Sequence, residues 1–148
     1  MAEIIKDEWL SLVLGIPAFR IEQPQHASEI MKDTEKGFYS AKVPTDRIDW
    51  LRELEQEGFR VVDTSVILVR QPTPREHFTF PRLVREAEPQ DASTLLDIAS
   101  SAFCYSRFHL DPEIPGETAN RVKQAWLGSY LAGTRGGKLL VSARNGMV

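Results

Sequence analysis

The stretch "CYSRFHLDPEIPGETANRVKQAW", from Cys104 to Trp126, places a polar loop directly before a helix that begins near a proline. Within it, residues Tyr105 to Asp111 include three aromatic or imidazole rings, an arginine, a serine and a carboxylate. Loops inside a protein core are seldom so polar, and linkers are seldom so aromatic. The segments on either side of this loop decide the fold that holds it.

Helices are predicted on both sides of the loop. Before it, "EPQDASTLLDIASSAF" offers Glu88 as a helix cap and Pro89 at the first helical position, where a missing N–H costs least. Apolar residues then recur at helical spacing, at Ala92, Leu95, Leu96, Ala99 and Phe103. After the loop, "PGETANRVKQAWLGSYLAG" predicts a second helix with one face made of Ala119, Val122, Trp126 and Tyr130.

Short strands enclose the two helices. The first is "RLVREA", from Arg82 to about Glu86, and the second is "KLLVSA". Asn145-Gly146 then gives a strong two-residue hairpin signal. The sequence ends two residues later, too soon for a second hairpin strand to complete its ladder. We therefore expect a fragment of a longer protein, a hypothesis that the reading frame beyond Val148 tests.

An earlier block predicts a separate unit. "GFYSAKV" alternates as a half-buried strand does, "TDRIDWLRELEQEG" reads as a helix that Gly58 can end, and "FRVVDTSVILV" reads as a buried strand. The three prolines of "QPTPREHFTFP" then indicate an extended connector. The predicted organisation is an N-terminal α/β domain over residues 1–70, a linker over 71–81 and a second domain over 82–148.

Composition limits the class of protein. The net charge of −3 argues against a general nucleic-acid binder, and no apolar run approaches the length of a membrane span. The start "MAEIIKDEWL" carries acids where a signal peptide carries positive charge, and one cysteine excludes an internal disulfide. We therefore expect a cytoplasmic protein that binds neither nucleic acid nor membrane. Residues 71–148 hold nine basic residues, seven of them arginine, and eight acidic ones. Arginines suit phosphate or carboxylate ligands, and the alternative is that these arginines are scattered over the surface.

The order of these segments resembles the start of a GNAT-type N-acetyltransferase domain: a first strand, two helices and a second strand. The loop "SRFHLDPEIP" is similar to the subgroup near TDP-fucosamine acetyltransferase, and the upstream block resembles the domain that precedes the catalytic one there. The resemblance implies an α/β (α+β) fold, truncated after its second strand. It also implies acetyl-CoA as co-substrate and a small-molecule amine as acceptor, with an amino sugar nucleotide as the candidate.

Parts that the resemblance implies are missing from the sequence. In the family, a strand, a glycine-rich loop and a helix hold the pyrophosphate of acetyl-CoA. Here "GTRGGK", Gly133 to Lys138, follows a helix and precedes a strand, which is the wrong order for such a cradle. The family's general acid, usually a tyrosine late in the fold, has no counterpart either. No catalytic or cofactor-binding residue is therefore assigned, and we expect this chain alone to be inactive and to bind no acetyl-CoA.

The loop between the helices lines the acceptor groove in the family, and its chemistry agrees with that role. The residues assigned to substrate binding are Tyr105, Arg107, His109 and Asp111. Arginine can pair with a phosphate, an aromatic ring can stack on a base or sugar, and a carboxylate can accept from a hydroxyl or an amine. In the alternative interpretation, Phe103, Phe108 and Leu110 only anchor the loop while Asp111 caps a turn before Pro112.

Other chemistries find little support. Cys104 with His109 lacks a visible third orienting group, so a buried, inert cysteine is predicted, and His26, His77 and His109 show no metal-ligand spacing. Two hypotheses remain: part of an N-acetyltransferase, or a non-catalytic binding or dimerisation module. The uncharged edge of "LLVSA" also predicts a homodimer.

Overall fold

The computed structural model describes residues 3–23, 26, 31–33, 35–71 and 84–143. Within these residues, helices combine with small β-sheets, so the predicted mixed α/β class is confirmed at that level. The chain divides into two compact units, Met1–Val62 and Asp63–Val148. Beyond Gln71, the predicted linker lies outside the described residues, as does the turn at residues 145–146.

Unit 1 contains a three-stranded sheet in the order β1-β2-β3. Its strands are β1 (Glu3–Lys6), β2 (Ala18–Glu22) and β3 (Phe38–Ala41). Strand β2 runs antiparallel to β1 and parallel to β3. Strand β3 is the one that the alternation of "GFYSAKV" predicts.

Helix α1 (Glu8–Leu14) connects the two antiparallel strands. The side chain of Asp7 accepts a hydrogen bond of 2.8 Å from the backbone N–H of Leu10, and Gly15 ends the helix with a φ of 74°. This helix is not among the elements predicted from the sequence. An aspartate cap followed eight residues later by a glycine is the signal that indicates the helix.

Helix α2 (Ile48–Gln56) packs on the sheet through Leu54, which is buried with Ile21 of β2. Partly buried apolar side chains surround this pair: Ile4, Met31, Tyr39, Ala41, Val43 and Phe59. The helix was predicted, and so was its end, because Gly58 takes a left-handed φ of 88°. An L side chain would be strained at that position.

The predicted strand over residues 59–69 is wrong. Residues 59–71 form no regular secondary structure, and the side chains from Val66 to Val69 are 75–90% exposed. The β-branched composition measures how well a segment fits a sheet, not whether a sheet edge is available to it. In the described part of the chain, this segment pairs with no strand.

The described residues of unit 2 form two short strands and three α-helices. The antiparallel strands β4 (Val84–Glu86) and β5 (Leu140–Ser142) enclose α3 (Ala92–Ser101), α4 (Arg107–Leu110) and α5 (Gly116–Leu131). A 3-10 turn, Pro89–Asp91, leads into α3, with Pro89 at its first position as predicted. The strand, two main helices and second strand therefore occur in the predicted order.

The core of unit 2 lies between α3, α5 and β5. Its buried members are Leu95, Ala99, Leu127 and Val141. Two residues of the predicted helix faces are exposed: Phe103, which follows the end of α3, at 40%, and Trp126 at 38%. The neighbouring Leu127 faces the core instead, since it continues the stripe of Ala119 and Val122, both buried.

An ion pair joins β4 to the turn that precedes α3. The guanidinium of Arg85 donates to both carboxylate oxygens of Asp91, at 2.6 and 2.9 Å. Asp91 also accepts from the backbone N–H of Glu88 at 2.8 Å and is 7% exposed. These bonds, first that from Arg85, lower the pKa of Asp91 to about 2.

Candidate functional site

The loop that sequence analysis singled out contains a single helical turn, α4. The backbone carbonyl of Ser106 accepts from the N–H groups of His109, at 2.8 Å, and of Leu110, at 3.0 Å. Phe108 points inward and is 7% exposed, which confirms it as an anchor. Leu110, at 42% exposure, is not one. The short turn brings the polar side chains on either side of Phe108 to the surface of the unit.

His109 connects α4 to the long helix α5. Its Nδ1 atom lies 2.7 Å from the hydroxyl of Ser106, and its Nε2 atom lies 2.9 Å from Oδ1 of Asn120. An amide oxygen only accepts, so Nε2 carries the proton and Nδ1 accepts from Ser106. This Ser106–His109–Asn120 chain fixes the orientation of the imidazole ring. It therefore favours a role for His109 in holding the loop, while its predicted contact with a ligand stays a prediction.

Asp111 ends the loop with a turn. Its Oδ1 atom accepts from the backbone N–H of Glu113 at 3.0 Å, and its carbonyl accepts from the N–H of Ile114 at 3.1 Å. This is the turn-capping role that the alternative interpretation assigned to Asp111. A carboxylate has four lone-pair positions, so a substrate contact at Asp111 is compatible with this turn and stays a prediction.

Tyr105 and Arg107 are the other two predicted site residues of the loop, and both are accessible at the surface. Tyr105 is 81% exposed, so its ring has a face open to a ligand. The guanidinium carbon of Arg107 lies 4.6 Å from the centre of the Phe108 ring, and its side chain is partly buried. The loop thus holds an exposed ring and a supported cation side by side.

Lys123 lies near the loop and is a candidate residue that the sequence pattern did not single out. It lies on α5, and its ammonium nitrogen is 4.8 Å from the centre of the Phe103 ring. Burial, and secondarily the positive charge of Arg107, lower the pKa of Lys123 below its ordinary value. The signal in the sequence is its spacing: Lys123 follows Asn120 by three residues, so both side chains lie on the face of α5 that meets α4.

A separate surface cleft lies toward the other end of α5. Its lining includes Glu88, Tyr130, Leu131, Lys138 and Leu139. Tyr130 lies about 15 Å along the helix axis from Asn120, at the usual rise per residue. None of the four predicted site residues lines this cleft.

The glycine-rich stretch does not fit acetyl-CoA. Residues 133–138 join the C-terminal end of α5 to β5, as predicted. The C-terminal end of a helix carries partial negative charge, which disfavours a pyrophosphate. Residues 133–138 therefore lack the strand-loop-helix arrangement that holds a pyrophosphate.

The lone cysteine of the chain lies at the surface. Cys104 is exposed, so its predicted burial is wrong. The described residues contain no cluster of three or more side chains that could hold a metal ion. In the same described residues, no helix is long and apolar enough to cross a membrane.

Comparison with known proteins adds no relative. The chain matches no protein-family model and no curated protein.

Proposed function

We propose that unit 2 supplies the acceptor-binding side of an acetyl-CoA-dependent N-acetyltransferase of the GNAT type. The observation that carries the proposal is the order β4, α3, α5, β5 with the two strands paired directly, because it is the order that the resemblance implies. The loop between the helices then occupies the position of the acceptor groove. The candidate acceptor is an amine on a nucleotide-linked sugar, and the protein that acts on it is proposed to be cytoplasmic.

Within this proposal, the loop residues bind and orient the acceptor. Arg107 pairs with an anionic group, Tyr105 stacks on a planar or sugar face, and Asp111 accepts from a hydroxyl or an amine. His109 holds α4 against α5 through Ser106 and Asn120, so the binding side chains keep their geometry before the ligand arrives. Such pre-organisation reduces the entropy lost on binding.

Acetyl transfer by the full product of the gene tests the proposal. The substrates are acetyl-CoA and an amino sugar linked to thymidine diphosphate, and the expected products are the N-acetylated sugar nucleotide and free CoA thiol. The matched control is the same sugar nucleotide with a hydroxyl in place of the amine, which should give no N-acetylated product. Absence of transfer to any amino sugar nucleotide would contradict this acceptor class.

A second candidate function is a non-catalytic dimerisation module. The observation in its favour is that β5 pairs with β4 alone in the described residues, while Leu140 on β5 is 57% exposed. An open strand edge can pair with a second copy of the chain. Sedimentation velocity should then show a dimer that Leu140→Lys dissociates. Leu140 is the residue to change because Val141 is 4% exposed and belongs to the core. A monomer at high concentration would remove this candidate.

A further inference from the structure

The loop directs a serine hydroxyl at an imidazole ring. Ser106 is the cap residue of α4, and His109 follows it by three residues, which is the spacing of a capping box. In a capping box, each side chain bonds to the backbone N–H of the other residue. Here the two side chains bond to each other, with Oγ of Ser106 2.7 Å from Nδ1 of His109. In the described part of the chain, the hydroxyl makes no capping bond to the backbone of α4.

The hydrogen bonds of this group all run in one direction. Oδ1 of Asn120 lies 2.9 Å from Nε2 of His109 and can only accept, so it keeps the ring proton on Nε2. Nδ1 therefore has a lone pair, which accepts the proton of the Ser106 hydroxyl. A nucleophilic serine requires this order: a hydroxyl beside a basic nitrogen, and a third group that holds the base in the correct tautomer.

The same three side chains are accessible and already oriented. Ser106, His109 and Asn120 are each partly buried, so a small molecule can reach the hydroxyl while the surroundings limit rotation of the ring. The serine and its base lie on one helical turn, and Asn120 holds that turn from α5. A base held in place before the reaction lowers the entropic part of the barrier.

We propose that Ser106 is a nucleophile toward small carboxylic esters with a good leaving group, with His109 as its general base and Asn120 as the residue that positions the base. Oγ of Ser106 forms a bond to the acyl carbon while its proton passes to Nδ1 of His109. The bond from the acyl carbon to the leaving oxygen then breaks, and Nδ1 returns the proton to that oxygen. The products are an acyl-serine and an alcohol or phenol.

Water completes the reaction by the same route. It attacks the acyl carbon and gives a proton to Nδ1 of His109, which passes it to Oγ as the acyl bond to Ser106 breaks. Each cycle therefore consumes one ester and one water and releases a carboxylic acid. This activity goes beyond the proposed function, since it requires neither acetyl-CoA nor an amine.

Two neighbouring residues provide the controls. Cys104 is exposed and is itself a nucleophile, so the chain is tested both as it is and with Cys104→Ala. Ser101 is an exposed serine whose hydroxyl donates to the backbone carbonyl of Asp97 instead of to a base. It therefore reports how fast a serine without a base reacts.

The experiment treats the full chain with a fluorophosphonate, which phosphonylates a base-activated serine and releases fluoride. Peptide mass spectrometry locates the label, and release of p-nitrophenol from p-nitrophenyl acetate measures ester cleavage. We expect the label on Ser106 and not on Ser101, with or without Cys104. Ser106→Ala should abolish both reactions. Ser106→Asn should do the same while it keeps a side chain suited to a helix cap, so it replaces the alanine variant if that variant does not fold.

The supporting residues should affect the rates by different amounts. His109→Ala should slow both reactions about 100-fold or more, as for the loss of a general base. Asn120→Ala should slow them about twofold to tenfold, as for the loss of one hydrogen bond to the base. Asn120→Asp keeps an acceptor oxygen and should restore most of the rate, which a role in stability alone does not explain when both variants are folded.

The proposal is overturned if Ser106 is labelled no faster than Ser101, or if His109→Ala leaves the rate of labelling unchanged. Either result would mean that the hydrogen bonds only hold the loop. Ester cleavage that persists in both Ser106 variants would also overturn it, since another group would then be the nucleophile. Labelling of Ser106 without any cleavage of the acetate ester would overturn the assigned substrate class.

Discussion

Unit 2 contains two charged pairs of opposite character, Arg85 with Asp91 and Arg107 with Lys123. In the first pair, a guanidinium meets a carboxylate through two hydrogen bonds, and the carboxylate also caps the turn before α3. In the second pair, Arg107 lies over the ring of Phe108 and Lys123 over that of Phe103, and the charge of Arg107 is the smaller of two causes that lower the pKa of Lys123. The first pair attracts and stabilises the fold, whereas the charges of the second pair repel each other.

The difference separates an arginine that joins two elements of the fold from one that lies in the candidate loop. A pair that folding alone selects should join opposite charges, as at Arg85. Local rules are most often broken where a protein binds or reacts.

Removing the charge of Asp91 should give the largest effect on stability. Its pKa of about 2 lies below the ordinary value near 4, so the carboxylate contributes stability above about pH 4 and loses it as the pH falls toward 2. Asp91→Asn should therefore lower the urea midpoint at pH 7 and flatten the dependence of stability on pH between about 4 and 2. Ser93→Ala, an exposed change on α3, serves as the control. An unchanged midpoint for Asp91→Asn would show that the two pairs do not differ as described.

The next effect concerns the link that holds the loop. Asn120→Ala removes the acceptor for Nε2 of His109 and should lower the free energy of unfolding by about 0.5–1.5 kcal/mol, as for one hydrogen bond. Asn120→Asp keeps an acceptor oxygen, so its free energy of unfolding should fall by less. Urea unfolding of both variants makes the comparison. Equal losses would mean that the hydrogen bond to His109 is not what Asn120 contributes.

The smallest effect should have the opposite sign. Lys123→Gln relieves the repulsion from Arg107, so the free energy of unfolding should rise by a few tenths of a kcal/mol, discounted for screening by solvent. High salt should reduce this gain, because it screens the same repulsion in the parent chain. A clear loss of stability in low salt would indicate that Lys123 holds the fold together through its contact with Phe103.

The sequence predicted the elements that follow from local patterns. Strand β3, helix α2 and the helices on either side of the loop were recognised from alternation, helical spacing and caps. Residues 59–69 were not, because a strand requires a partner edge and the composition of a segment does not reveal one. Trp126 was placed on the apolar face of its helix where Leu127 is buried instead, for a similar reason. Both residues are apolar, and only the position of the neighbouring elements decides which one faces the core.

The candidate site was predicted in part. The sequence singled out the loop and its anchor Phe108, since a dense set of rings and charges is visible in one stretch. It did not reveal Lys123, because that residue comes close to Arg107 only when α5 packs against α4. The sequence also could not show that both ring nitrogens of His109 form hydrogen bonds, one with Ser106 and one with Asn120.

The kinetics of Arg107→Ala test the central claim, that the loop recognises the acceptor, most directly. In the full gene product, the KM for the amino sugar nucleotide should rise about tenfold or more, where KM reports binding, because a charged hydrogen bond is lost. The KM for acetyl-CoA should stay within about twofold of the parent value, and Arg121→Ala should leave both constants near theirs. An unchanged acceptor constant together with an altered acetyl-CoA constant would contradict the account, since it would place Arg107 on the coenzyme side.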